Sequence, residues 1–210
     1  MRIAILVWGS LFWDPRNLEK TDEWFYDGPV LPIEFARISG GNRLTLVIKP
    51  NFGLVHTLYA VSSNDDFIAA RENLKSRENT PNIDNIGFIN FTNNTHHVRL
   101  SNAFIIDILH QWNEPKKFDA IIWSDFPPRF TDAIGSPFTL ENIITFLSGL
   151  SEADKAEALN YIRNTPNQIT TRFRNSIEQH FVGGSDGVNT AQEKIKHTAF
   201  KRAVGQEQMQ

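Results

Sequence analysis

The chain has 210 residues, 40% hydrophobic and 21% charged, with a formal net charge of −3 at pH 7. That length supports one large domain with a substantial core, and the mild acidity without a dense Lys/Arg patch gives no pull toward nucleic acid. There is no cysteine, which removes disulfides, thiolate metal sites and Cys nucleophiles together; no apolar run approaches the ~20 residues of a membrane helix, and the one before Trp8 is too short for a secretory leader, so a cytoplasmic protein without a membrane partner is expected.

In chain order, Ile3–Val7 reads as a short buried strand that stops at Gly9-Ser10. Gly9 lets the backbone turn and approach a ligand closely, and N–H groups just past a strand end can face an anion or a polarised oxygen. Val30–Ile38 follows a Gly28-Pro29 turn as a second strand. Arg43–Ile48 and Leu54–Val61, separated by Lys49-Pro50-Asn51 and Phe52-Gly53, read as a hairpin. A helix is predicted from Ser63 to about Arg77 or Glu78, with Asp65 and Asp66 in its first turn and Phe67, Ala70 and Leu74 on its apolar face. Ile86–Phe91 and His96–Leu100 read as another hairpin.

Beyond residue 101 the pattern is mainly helical. Asn102 caps a predicted helix through Trp112, with Phe104, Ile105, Ile108, Leu109 and Trp112 as its buried stripe. Phe118–Trp123 reads as a short strand ending in Asp125-Phe126-Pro127-Pro128-Arg129. Helices are predicted over Leu140–Leu147, Ser151–Arg163 and Asn167–His180. The expected organisation is a single α+β domain over 1–182, strand-rich over 1–101 and helical over 102–182. A Gly-rich linker and tail over 183–210 complete the chain.

Two segments carry the chemistry. The first is Trp8-Gly9-Ser10-Leu11-Phe12-Trp13-Asp14-Pro15, the loop after the opening strand. The second is Leu74-Lys75-Ser76-Arg77-Glu78, at the end of the first long helix. In register, with Gly41–Pro50 between them, they resemble the gamma-glutamylcyclotransferase superfamily, particularly its ChaC-like branch, whose members open with a YGSLxWxP-type loop and later carry a Leu-x-x-Arg-Glu signature. The resemblance implies a small mixed or antiparallel β-barrel with flanking helices. It also implies release of 5-oxoproline from a gamma-glutamyl amine or peptide, with no metal or organic cofactor.

On that resemblance Glu78 is the general acid/base. Gly9, Ser10 and Leu11 offer main-chain donors to the substrate, Trp8, Phe12 and Trp13 form an apolar wall, and Arg77 either pairs with the substrate carboxylate or, the favoured reading, makes a surface or structural ion pair. The same residues also permit a catalytically silent binding module, or a surface Glu78 among Arg71, Lys75 and Arg77; Glu72 faces another side of the helix.

Other constellations carry less. His96 and His97 are adjacent, so on a strand they face opposite ways, and no HExxH occurs; no metal site is expected. Ser10 lacks a GxSxG context. The segment Trp123–Arg129 either borders the pocket, with Asp125 or Trp123 selecting the amine, or is a proline-stiffened connection. Arg163, Arg172 and Arg174 read as a solvated helical surface.

Overall fold

The structure, a computed structural model, describes residues 1–99 and 102–182. Strands β1 (Ile3–Val7) and β8 (Ala120–Ser124) are apolar runs that run parallel side by side at the heart of a five-stranded sheet. Every residue of β1 is buried, as expected for a strand covered on both faces. The sheet order is β5-β1-β8-β6-β7, with β5 at Leu58–Val61, β6 at Ile86–Asn90 and β7 at Thr95–His97. All its pairings except β1–β8 are antiparallel. A second sheet has order β3-β2-β4, from β2 (Val30–Ser39), β3 (Arg43–Ile48) and β4 (Leu54–His56).

The α+β class therefore holds, but the described strands form two sheets and no closed barrel. The Arg43–Ile48/Leu54–Val61 hairpin does not form either. β3 and β4 flank β2 on opposite edges, and the second run breaks at Thr57 into β4 and β5, which belong to different sheets. At that break, Thr57 is fully buried, donates its hydroxyl to Pro29 O at 2.7 Å, and its carbonyl accepts from Gln168 Nε2 at 2.8 Å. Alternation in sequence looks the same whether two runs pair with each other or with a strand between them. The strand β8, from the nominally helical half, takes the central place in the larger sheet.

Helix α1 (Phe67–Arg77) starts later than expected, because Asp66 rather than Ser63 caps it, accepting from Ala69 N at 2.8 Å. Ala70 and Leu74 are buried as the pattern predicts, and α1 packs on β6 and β8. Helix α2 (Ala103–Lys116) runs past Pro115 and ends on Lys117 in the left-handed conformation. Its buried positions are Ile105, Leu109 and Asn113, whereas Phe104 is 53% exposed. Asn113 earns burial by a reciprocal pair of hydrogen bonds with the Phe118 main chain, at 2.9 and 3.0 Å.

Helices α3 (Phe130–Ile134), α4 (Leu140–Ser148) and α5 (Glu152–Asn164) follow, and α5 packs on β3. The helix expected from Asn167 begins only at Arg174, as α6 (Arg174–Val182). The reason lies in Arg174 itself. Far from being solvated, it is 6% exposed and donates to the carbonyls of Thr165, Pro166 and Ile169, which holds the preceding segment in an irregular loop. Residues Met1–Glu178 form one compact unit; the expected linker and tail over 183–210 lie outside the described residues. Among the described residues no helix is long and apolar enough to cross a membrane.

One buried charge in β2 has a measurable signature. Glu34 is fully buried, its carboxylate accepting from Phe35 N at 2.9 Å and Phe173 N at 3.2 Å. Burial raises its pKa above 4.5, partly offset by these donors. The folded state thus holds this proton more tightly than the unfolded chain. The Glu34 contribution to stability is complete below about pH 4.5 and declines as pH rises through the folded-state value. Denaturant titrations of the parent and Glu34→Gln should show the parent's advantage largest near pH 4 and shrinking above it. A gap that widens with pH would mean that the N–H donors outweigh burial.

Candidate active site

The loop after β1 closes two turns, Phe12 N to Gly9 O at 3.0 Å and Asp14 N to Ser10 O at 2.8 Å. These turns occupy the carbonyls of Gly9 and Ser10, and the Ser10 N–H faces the Tyr161 hydroxyl oxygen. Gly9 has an ordinary backbone conformation; its value is space. A Cβ there would stand 2.6 Å from the Tyr161 hydroxyl oxygen, which reaches the loop from α5. Replacing Gly9 by Ala should therefore cost about 1–3 kcal/mol of stability through overpacking. Tyr161→Phe in the same chain should return most of it, since the next atom is 3.7 Å away. If denaturation shows no rescue, the loop backbone rather than the oxygen sets the requirement.

At the other end of the site, α1 stops because Asn79 adopts φ 49°, a common helix-ending conformation for Asn. This places Glu78 at a helix C-terminus, where the helix dipole opposes a negative charge. Arg77 offsets that cost with an ion pair, Nη1 to Glu78 Oε1 at 3.0 Å. Arg77 is 3% exposed and also ties α1 to the loop, donating from Nη2 to Ser10 Oγ at 3.2 Å and Asp14 O at 2.6 Å. Of the two readings of Arg77, the structural ion pair is the one seen: the guanidinium is largely engaged in joining two elements of the site.

Glu78 has a further partner from the centre of the large sheet. Ser124, the last residue of β8, donates its hydroxyl to Glu78 Oε1 at 2.7 Å. Both bonds land on one oxygen. Among the described residues no donor is within hydrogen-bond reach of Oε2, and the Glu78 side chain is 14% exposed. One carboxylate oxygen is anchored by two donors and the other by none among the described residues.

All of these groups line one cavity of about 670 Å³, a volume suited to a small molecule. The cavity brings together Trp8, Gly9, Ser10, Leu11, Trp13, Arg77 and Glu78, the residues singled out by the two sequence motifs. Phe12 is not in the lining; it packs against Trp24 and Tyr26. Glu72 is spent on an exposed ion pair with Lys75.

Sequence reasoning missed the other walls. Arg37 and Ser39 from β2, Thr45 and Leu46 from β3, and Tyr161 from α5 all line the cavity. Burial pushes the Tyr161 phenol up to about 12, so it remains protonated at neutral pH. Thr45 and Leu46 fall within the Gly41–Pro50 segment of the resemblance, which assigned them no role, and no motif marks Arg37, Ser39 or Tyr161, because separate elements contribute them.

The segment Trp123–Arg129 divides between its two readings, part of it bordering the cavity and Trp123 being a buried residue of the connection. Ser124 and Phe126 line the cavity, whereas Trp123 is fully buried and Asp125 is turned aside, accepting from Arg99 N at 2.7 Å. Neighbouring residues in extended chain face opposite ways, so Asp125 and Trp123 are not in the cavity wall. Among the described residues no group of three or more His, Asp or Glu side chains is placed to hold a metal ion. Comparison with family models, with curated proteins and with solved structures finds no match for this chain.

Proposed function

We propose that the protein is a cytoplasmic, cofactor-independent lyase of the gamma-glutamylcyclotransferase type, acting on a small gamma-glutamyl amine or peptide. The observation that carries the reading is the divided role of the Glu78 carboxylate. Oε1 is held by Ser124 and Arg77 while Oε2 has no donor among the described residues, in the cavity that Gly9, Ser10 and Leu11 also line. On this reading the two sheets joined at Thr57 correspond to the family's barrel.

The reaction needs a proton moved over a short distance inside one substrate. The α-amino nitrogen, as the free amine, attacks the γ-carbonyl carbon, forming the new C–N bond of a five-membered ring. Glu78 takes a proton from that nitrogen and gives it to the amide nitrogen as the old C–N bond breaks, so 5-oxoproline and a free amine leave and no water is consumed. Holding nucleophile and carbonyl aligned accounts for roughly 7–11 kcal/mol of barrier lowering. The Gly9 and Leu11 main-chain donors would stabilise the developing oxyanion or hold the α-carboxylate, with the Ser10 N–H set against the Tyr161 hydroxyl, and fixed amides suit this because they need no reorientation. Trp8 and Trp13 supply apolar wall, which limits competition from water.

The test is release of 5-oxoproline by the full chain across a panel of gamma-glutamyl amides differing in the amine. Turnover of one or more members is expected. No release from any of them, with the protein folded, would leave a binding module in place of the enzyme.

A further inference from the structure

We propose that Arg37 is the centre of an oxyanion subsite on the β2 side of the cavity, which binds a carboxylate or phosphate carried on the half of the ligand that leaves as the amine. The assignment of that half rests on the cyclotransferase reading; the subsite itself does not.

Charge pairing within the cavity carries the inference. Four arginines line it: Arg16, Arg37, Arg43 and Arg77. Arg16 pairs with Asp14 at 2.9 Å, Arg77 with Glu78 at 3.0 Å, and Arg43 with Glu157 at 3.4 Å. Arg37 alone among them has no carboxylate oxygen within 4.0 Å among the described residues. A guanidinium stays protonated at any physiological pH, so this partly buried cation is uncompensated.

The surroundings reinforce rather than cancel the charge. Burial, then Arg129, then Arg99 press the basicity of Arg37 below the ordinary arginine value. The Glu34 carboxylate on the same strand accepts from Phe35 N and Phe173 N, and the Asp125 carboxylate, next to Phe126, accepts from Arg99 N. Arg37 is also aimed rather than loose. It donates from Nη1 to Pro127 O at 3.2 Å, and its guanidinium carbon lies 4.8 Å from the centre of the Phe126 ring, which also lines the cavity. A planar guanidinium backed by an aromatic ring keeps its remaining N–H edge for a fork-like contact with an oxyanion.

The backbone is adapted to the same end. β2 carries a bulge at this point, since Phe35 stands opposite Leu46 and Arg37 opposite Thr45, leaving Ala36 as the extra residue. Bulges re-aim side chains next to functional sites. In an unbroken strand Arg37 would share the facing of the fully buried Phe35; the bulge releases it into the cavity wall. The gamma-glutamyl half of the ligand would be met by the Gly9–Leu11 loop and Glu78. The spare cation therefore fits a second anionic group, and selects anionic leaving amines over neutral ones.

The experiment uses the full chain, its Arg37→Gln variant and its Arg37→Lys variant. Binding of inorganic phosphate is followed by calorimetry, and 5-oxoproline release from three gamma-glutamyl conjugates: ethylamine, glycine and aminomethylphosphonate. Loss of a charge-assisted contact predicts a roughly 10- to 100-fold weaker phosphate Kd in Arg37→Gln, with part of the affinity kept in Arg37→Lys. KM for the two anionic conjugates should rise by a similar factor, that for the ethylamide least, and kcat should change less than KM. The order of the glycine and phosphonate conjugates in the parent identifies which oxyanion the subsite prefers.

Arg37-dependent phosphate binding without release from any conjugate would keep the subsite and end the cyclotransferase reading. Release from all three, with the same KM ratios in parent and Arg37→Gln, would keep that reading and end the subsite. Should Arg37→Gln fail to fold, the parent decides: added salt must raise KM for the phosphonate conjugate more than for the ethylamide, and equal effects overturn the proposal.

Discussion

Glu78→Gln is expected to lower the rate of 5-oxoproline release by about 10²–10⁴-fold, the usual worth of a positioned general acid/base. Glutamine matches glutamate in shape and still offers an oxygen to the Ser124 hydroxyl and to Arg77, the two donors that hold Oε1. What it lacks is an oxygen able to accept a proton and return it. The loss should therefore fall on kcat, with the fold, followed by circular dichroism, unchanged. Glu78→Asp keeps the acid but withdraws it along the side chain, and a displacement near 1 Å costs on the order of 10²-fold when reacting groups must be aligned. A Glu78→Gln protein with the parent's rate would end the proposed role of this carboxylate, whatever else the cavity binds.

Gly87→Ala is expected to be the most damaging small substitution for stability. Gly87 in β6 stands opposite Trp123 in β8, and the indole folds across the glycine. A Cβ at Gly87 would lie 2.5 Å from Nε1 and 2.6 Å from Cζ2 of that indole. Trp123 is 0% exposed, so the ring has nowhere to retreat. Overpacking of this kind costs about 3 kcal/mol, near the upper end of the usual range, which for a domain of this size lowers Tm by roughly 6–12 °C. Trp123→Phe added to Gly87→Ala should recover part of the loss, because the smaller ring removes the atoms in conflict. Additive losses in the double variant would show that the indole is not the obstacle. Activity should fall as well, since Ser124 follows Trp123 directly and a displaced β8 loosens its grip on Glu78.

These two residues mark how far the sequence could be read. Glu78 was within reach because a short signature and a Gly-Ser loop are local patterns, each within one turn of chain. Gly87 and Ser124 were not, because their importance lies across the sheet. Gly87 matters through Trp123 and Ser124 through the end of α1, and nothing in either neighbourhood announces its partner. The same limit explains the failed hairpin between Arg43–Ile48 and Leu54–Val61. Both runs were recognised as extended, but pairing depends on which edge of β2 each one meets. It also explains Arg174, which composition alone places in solvent and which three carbonyls hold inside.

By itself the sequence determined the local conformations that depend on near neighbours. These include the buried β1 run, the α1 stripe of Ala70 and Leu74, the N-cap at Asn102, and the two motifs that meet in the cavity. The tertiary structure alone decided the two-sheet arrangement, the central place of β8, the anchoring of one Glu78 oxygen by Ser124, and the position of Arg37 in the cavity wall, against Pro127 and Phe126 and without an ion-pair partner among the described residues. The physical reason is range. Hydrophobic period and capping act over a few residues, whereas charge compensation and strand order depend on groups that meet only after the chain has folded.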